Sequence, residues 1–243
     1  MRAILTYHSI DRSGSIISIT PEAFRAHVEW MARGSVRVVS LPELLTLADD
    51  IDAVALTFDD ALSSVATEAA PLLAAHAFPG TIFVPTRHVG GDNRWNGAVD
   101  PGVPVLAVLG WDALARLRSQ GVFIGGHTRH HRHLRQCGDA ELTDELAGGA
   151  DDIAAALGER PTAFAYPYGD TDARVARAAA AQYAICCTTA FQPVRATDPH
   201  EMIPRLDAWY FRDPSPLAHW GTTGFRRSVA ARHALRRIRS TFQ

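Results

Sequence analysis

Lysine is absent from the 243-residue sequence, and all 24 basic residues are arginine. A genome-wide coding bias accounts for this most simply. Selection for phosphate or carboxylate clamps would require clustered arginines, and these cluster only near the C-terminus. Cysteine is scarce. Cys186 and Cys187 are adjacent, and neighbours rarely bridge, which leaves Cys137 alone. That pattern excludes a disulfide framework and fits a reducing compartment. No long apolar run is present to cross a membrane. The early stretch Ala3-Ile4-Leu5 is too short for the core of a signal peptide, so a cytoplasmic protein is expected. No Gly-x-Gly-x-x-Gly follows the first apolar run, which argues against dinucleotide binding. A formal net charge of −2 gives no field that would draw a nucleic acid.

The apolar content is ample. Hydrophobic residues make up 47% and charged residues 21%, ordinary for a globular chain that needs no staples to bury its core. Short apolar runs alternate with helical patterns. The runs Ala3–His8, Val36–Val39, Ala53–Phe58, Gly80–Pro85, Val122–Gly125, Ala163–Tyr166 and Tyr183–Thr188 read as strands. Between them, 63–76, 111–120, 139–157 and 171–182 read as helices, and 87–104 as a long surface loop. Alternation of this kind predicts an α/β fold with parallel strands covered by helices. Roughly seven strands suit a closed or nearly closed barrel in one domain spanning 1–243. An open doubly wound sheet is the competitor.

In a parallel β/α barrel the chemistry collects at the C-terminal ends of the strands. Four clusters fall there: Tyr7-His8, Asp59-Asp60, the stretch from His127 to Leu134, and Tyr166-Pro167-Tyr168-Gly169. Two adjacent carboxylates at a buried strand end repel unless a cation divides their roles. Taken alone, the pair also reads as a solvated turn with a helix cap. His127 and His131 are four apart, so a helical turn would put both on one face, although His130 is also spaced to pair with His127. Two imidazoles and a carboxylate form an open site for a divalent metal.

Thr57-Phe58-Asp59-Asp60 followed by His127-Thr128-x-x-His131-x-x-Leu134 resembles the first two motifs of the polysaccharide deacetylases, the NodB homology domain of carbohydrate esterase family 4. Phe164-Ala165-Tyr166-Pro167-Tyr168-Gly169 resembles the third, and the likeness runs from about Tyr7 to Trp209. It implies a distorted (β/α)7 barrel and a metal that is usually Zn2+. It further implies Asp60, His127 and His131 as ligands, Asp59 as the base, and the backbone N–H of Tyr168 as a donor to the developing oxyanion. Three positions depart from the pattern. Ala61 replaces a usual glycine. Ala165 stands near the place of a usual arginine, whose charge Arg205 could supply from another strand. No Leu-x-x-His ends the chain, although His219 is a candidate for the general acid. Leu5-Thr6-Tyr7-His8-Ser9-Ile10 resembles the N-terminal motif of the poly-N-acetylglucosamine deacetylases, which makes His8 the preferred acid. A leaving amine needs a proton, and histidine titrates in the right range. In this arrangement His8 would face Asp59 across the barrel mouth, with the substrate amide between them.

Tyr166, Trp95 and Trp209 are candidates for substrate contact, Trp95 foremost among the tryptophans because it lies in the Gly-rich loop. The segment 225–243 reads as a basic amphipathic helix. Its expected apolar stripe is Ala231, Leu235, Ile238 and Phe242, and its arginines could make weak contact with a membrane surface. The function expected is a metal-dependent hydrolase that removes acetyl groups from an amino sugar or N-acetylated glycan. The alternatives are a hydrolase of an O-acetyl ester or a non-sugar amide on the same scaffold, and a carbohydrate-binding protein without activity. A binding module has no use for a carboxylate base beside an open metal site.

Overall fold

The structure, a computed structural model, describes residues 1–240, with side chains through Arg236. Seven parallel strands form a curled sheet: β1 (Arg2–Tyr7), β2 (Ala53–Phe58), β3 (Gly80–Val84), β4 (Phe123–Gly126), β5 (Ala163–Ala165), β6 (Ile185–Cys187) and β7 (Leu206–Asp207). Their order is β7-β1-β2-β3-β4-β5-β6, and every neighbouring pair is parallel. Ile203, just before β7, bridges Cys187 of β6. The N–H of Ile203 donates to Cys186 O at 2.9 Å, and Thr188 N donates to Ile203 O at 2.8 Å. Segment 203–207 therefore closes the sheet into a distorted barrel, and the seam between β6 and β7 is its thinnest point.

The predicted strand count is right, but one member differs. The run at 36–39 yields only Arg37–Val38, which pairs with β2 outside the ring, while the closing strand β7 is two residues long. The predicted helices at 63–76 and 139–157 are each interrupted by a π-turn, at Val65–Ala69 and Asp144–Gly148. The second interruption sits where Gly148 passes the Arg129 guanidinium, so closely that a Cβ there would lie 2.8 Å from its Cζ.

Alternation along the strands sorts side chains to the two faces. Ile4, Ala53, Ala55, Phe83, Ala163, Ala165, Ile185, Cys187 and Ile203 form one buried cluster with Leu41 and Leu44, filling the lower barrel. The same inward rows end in polar groups at the top. Thr6 meets Thr57 at 3.1 Å, and beyond them lie His8 and Asp59. Tyr7 points outward instead. Its hydroxyl donates to His27 Nδ1 at 3.0 Å, while His27 Nε2 donates to Phe211 O. All three cysteines are free and buried.

The C-terminal helix runs Thr223–Ser240, and the face it buries is not the expected one. Phe225 and Val229 pack inward, whereas Leu235 is 61% exposed. The rings of Phe211 and Trp220 receive Phe225 and so set the helix's rotation. Of the expected stripe and its arginines, Phe242 and the side chains of Arg237, Ile238 and Arg239 lie outside the described residues. No described helix is long and apolar enough to cross a membrane.

Close packing inside the barrel gives a test. A Cβ on Gly125 would lie 2.5 Å from the Phe83 ring and 2.9 Å from Ala163 O. Gly125→Ala must shift strand backbone as well as a side chain, so a cost of about 3 kcal/mol is expected. Urea unfolding measures it, and a variant within about 0.5 kcal/mol of the parent would show that the interior is looser than described.

Candidate metal centre

Asp60, His127 and His131 come together at the C-terminal end of the barrel. Their ligand atoms lie within 4.8 Å of one another, and all three residues are buried. Asp60 Oδ1 is 3.3 Å from His127 Nε2 and 3.2 Å from His131 Nε2. His127 Nδ1 lies 2.7 Å from Ala165 O. A carbonyl only accepts, so Nδ1 carries a proton, which leaves Nε2, turned toward Asp60, as the atom a metal would take. Asp60 Oδ1 is buried without a hydrogen-bond partner. An orphaned carboxylate oxygen facing two imidazole nitrogens fits a divalent cation, and the donor set suits one with open positions. Burial pushes the Asp60 carboxyl up, but the neighbouring histidines outweigh it and hold it well below the usual carboxylate range. Burial lowers His131, favouring the neutral ring a metal requires.

No helical turn joins the two histidines, contrary to expectation. Thr128 (φ 66°) and His131 (φ 57°) both adopt the left-handed conformation, so the chain doubles back. The N–H of His131 donates to Thr128 Oγ1 at 2.9 Å. Glu145, buried, accepts from the N–H groups of Arg129 and His130 and from His130 Nδ1. His130 thus turns away from the site to Glu145. Asp60 (φ 68°), Ala61 (φ 51°) and Tyr168 (φ 60°) are also left-handed. Each such non-glycine residue costs about 1–2 kcal/mol, and five of them border one point. Ala61 fits in size but stands where glycine would be unstrained.

Asp59 sits beside the ligand set and is clamped by Arg205. Nη1 and Nη2 each lie 2.7 Å from a carboxylate oxygen, and Arg205 Nε donates to Thr188 O at 3.0 Å. Both side chains are buried. Burial raises the Asp59 carboxyl, yet the Arg205 charge and hydrogen bonds prevail and hold it below its ordinary range. His8 Nε2 is 3.8 Å from Asp59 Oδ2. The two are neighbours on one side of the mouth, so the expected arrangement with a substrate amide between them is corrected. Successive strands β1 and β2 bring them side by side. His219 is at the wrong end of the barrel. Trp220 Nε1 donates to Met1 O, and a Cβ on Gly221 would meet Asp52, both of which precede strands.

Other expected site residues divide. Trp95 stacks on His131 with centroids 4.5 Å apart, its other neighbour being the half-buried His88. Tyr168 is 38% exposed, stacks on His133 at 4.0 Å and meets His131 edge-on at 4.7 Å. Tyr166 is not at the mouth. It is fully buried and its hydroxyl donates to Glu201 O, because alternation turns it away from Ala165 into the outer core. Trp209 has one face covered by the Arg212 guanidinium at 3.8 Å. The sequence reading missed two acids. Glu145 could have been found as a charge on the Leu142/Leu146 face, and Asp207 as a strand-end residue two after Arg205.

The sequence matches the family model described as polysaccharide deacetylase over residues 47–185. No curated protein matches it. Among solved structures, a deacetylase named PplD from Streptococcus pyogenes, in complex with acetate, superposes with a TM-score of 0.72 at 22% identity, over 85% of this chain and 91% of that one. IcaB from Ammonifex degensii gives 0.69 at 20%, over 86% and 93%. A de-N-acetylase from Aggregatibacter actinomycetemcomitans gives 0.68 at 18%, over 84% and 94%. At these identities the likeness shows the fold.

The Asp59–Arg205 pair can be tested for its sign. Arg205→Gln leaves a buried carboxylate uncompensated, at an expected cost of about 3–5 kcal/mol near neutral pH. In the parent, the folded Asp59 lies below its unfolded value of about 3.9, so the pair's stabilisation is present above that value and lost as pH falls through the folded one. In the variant, burial is opposed only by the charges of His127 and His8 and should raise the carboxyl, so the gap between the two proteins should narrow as pH falls. Urea unfolding of the metal-free proteins at pH 7 and pH 5 measures this, and an equal gap at both would sink the electrostatic explanation.

Proposed function

The chain belongs to the polysaccharide deacetylase family, and from that premise we propose that it is a metal-dependent hydrolase removing N-acetyl groups from an amino sugar or N-acetylated glycan. The observation that carries this reading is the convergence of Asp60, His127 and His131 beside an Asp59 already fixed by Arg205. Asp60, His127 and His131 would hold the ion, for which Zn2+ is the first choice given this donor set. Bound there, a divalent metal supplies Lewis-acid chemistry, polarising the acyl carbonyl and acidifying water.

The remaining steps belong to the chain's own residues. Asp59 takes the proton of the attacking water. Arg205 keeps Asp59 ionised and prevents its rotation, because both carboxylate oxygens are engaged. His8, with its side chain 26% exposed at the mouth, gives a proton to the leaving nitrogen. That donor supports an amide substrate over an ester, since an amine leaves far less readily than an alcohol without protonation. The left-handed turn at Tyr168 supports a role for its N–H as a donor to the oxyanion. Trp95 holds His131 by stacking and shapes the wall on which a sugar would rest.

Acetate release from N-acetylglucosamine oligomers and from O-acetylated xylan, with metal removed and restored, tests the reading. Release from the N-acetylated substrate should be dominant and should vanish on chelation. His127→Ala and Asp60→Ala should lose both metal and turnover, and full occupancy in either would overturn the ligand assignment.

Asp59→Asn should retain metal while turnover falls by roughly 10²–10⁴. His8→Ala should fall by a similar factor, also with metal retained. Near-normal turnover in His8→Ala would remove it from the mechanism.

A further inference from the structure

One wall of the cavity beside Asp59 comes from a part of the chain beyond the family-matched segment. The cavity is small, about 30 Å3, and is lined by His8, Asp59, Arg205, Asp207 and Arg236, among others. Arg236 is delivered by the helix Thr223–Ser240. Its Nη2 donates to Thr189 O at 3.2 Å, and its Nη1 lies 3.8 Å from Asp207 Oδ2. The guanidinium also rests over Tyr210 at 5.4 Å and Phe191 at 5.7 Å. Thr189 follows β6 and Asp207 ends β7, so this one side chain spans the barrel seam.

Asp207 occupies a particular place. It stands opposite Thr6 of β1 in the parallel register. His8 lies two residues beyond Thr6, on the same inward face. Asp207 and His8 accordingly line the same cavity. Burial raises the Asp207 carboxyl, against the opposing charge of His8, the N–H of Trp209 and the charge of Arg236. The charged groups facing His8 are then Asp59 at the end of β2, with Asp60 beyond it, Arg205 and Asp207 from the closing segment, and Arg236 from the helix.

We propose that Arg236 is a positioning residue for the deacetylation reaction: it ties the ends of β6 and β7 together across the seam and so fixes Asp207 in the wall of the cavity it shares with His8. The proposal rests on the reading of His8 as proton donor. If the seam slackened, Asp207 would swing from His8, and Arg205, hydrogen-bonded to Thr188 O, would shift against Asp59. Arg236 acts through these groups without touching the reacting atoms, so its loss should slow turnover more than it weakens binding.

The test uses the full-length, metal-loaded protein with the pentamer of N-acetylglucosamine. Arg236→Gln should lower kcat roughly tenfold, as a misplaced catalytic group does. KM should stay within about twofold and metal content should be unchanged. Arg236→Lys should recover most of the loss. Arg232→Gln, which removes a contact with Tyr210 at 4.6 Å away from the cavity, should leave kcat within about twofold. An independent readout is the His8 imidazole signal in NMR spectra of the metal-free protein, identified by its disappearance in His8→Gln. It should move in Arg236→Gln and return in Arg236→Lys. Should Arg236→Gln not fold, Asp207→Asn must move the same signal. An unmoved His8 signal overturns the proposal, as does a raised KM with kcat intact, which would make Arg236 a substrate contact. Failure of the proton-donor reading would show separately, as full turnover in His8→Gln.

Discussion

Asp59 and Arg205 lie almost wholly out of water at the mouth of the barrel, and either charge alone would cost several kcal/mol to bury. Together they form a bidentate pair whose geometry leaves neither side chain free to rotate. Much of the mouth follows from this pairing. Arg205 must arrive from segment 203–207, so the ring has to close for Asp59 to be tolerated as a carboxylate. Its third donor fixes the turn after β6 through Thr188 O. Asp59 in turn sets where Asp60 can point, and the left-handed backbone at Asp60 and Ala61 directs the second carboxylate toward the histidines.

The strained residues have a common logic. Asp60, Ala61, Thr128, His131 and Tyr168 pay in backbone energy for placing side chains that a regular strand or helix end would aim elsewhere. The surroundings hold them there. Glu145 gathers the donors of the histidine loop, Thr128 caps His131, and the Gly148-Gly149 pair lets the neighbouring helix approach that loop closely.

Local pattern made some of this legible. Ala53–Phe58 reads as a buried strand and is one to the residue, so the position of Asp59 and Asp60 at its end follows from sequence alone. The pairing of His127 with His131 was readable too, but its geometry was not. A four-residue spacing looks helical, and only tertiary contacts force the left-handed loop. Strand β7 was invisible because two residues carry no periodicity, and closure of a sheet is a property of the whole ring. Tyr166 misled because it belongs to a motif at a strand end, where alternation alone decides which side chain faces the mouth. The stripe expected on the last helix failed for a related reason: its burial is set by the rings of Phe211 and Trp220, far away in the chain.

The two-residue closing strand has a consequence for the folded chain's solubility. An open parallel sheet would present two unpaired edges, and here the edge strands would be β1 and β6, both fully buried. Such edges template pairing with other chains. Segment 203–207 covers both at once, so the shortest piece of the ring is also the piece that hides both edges.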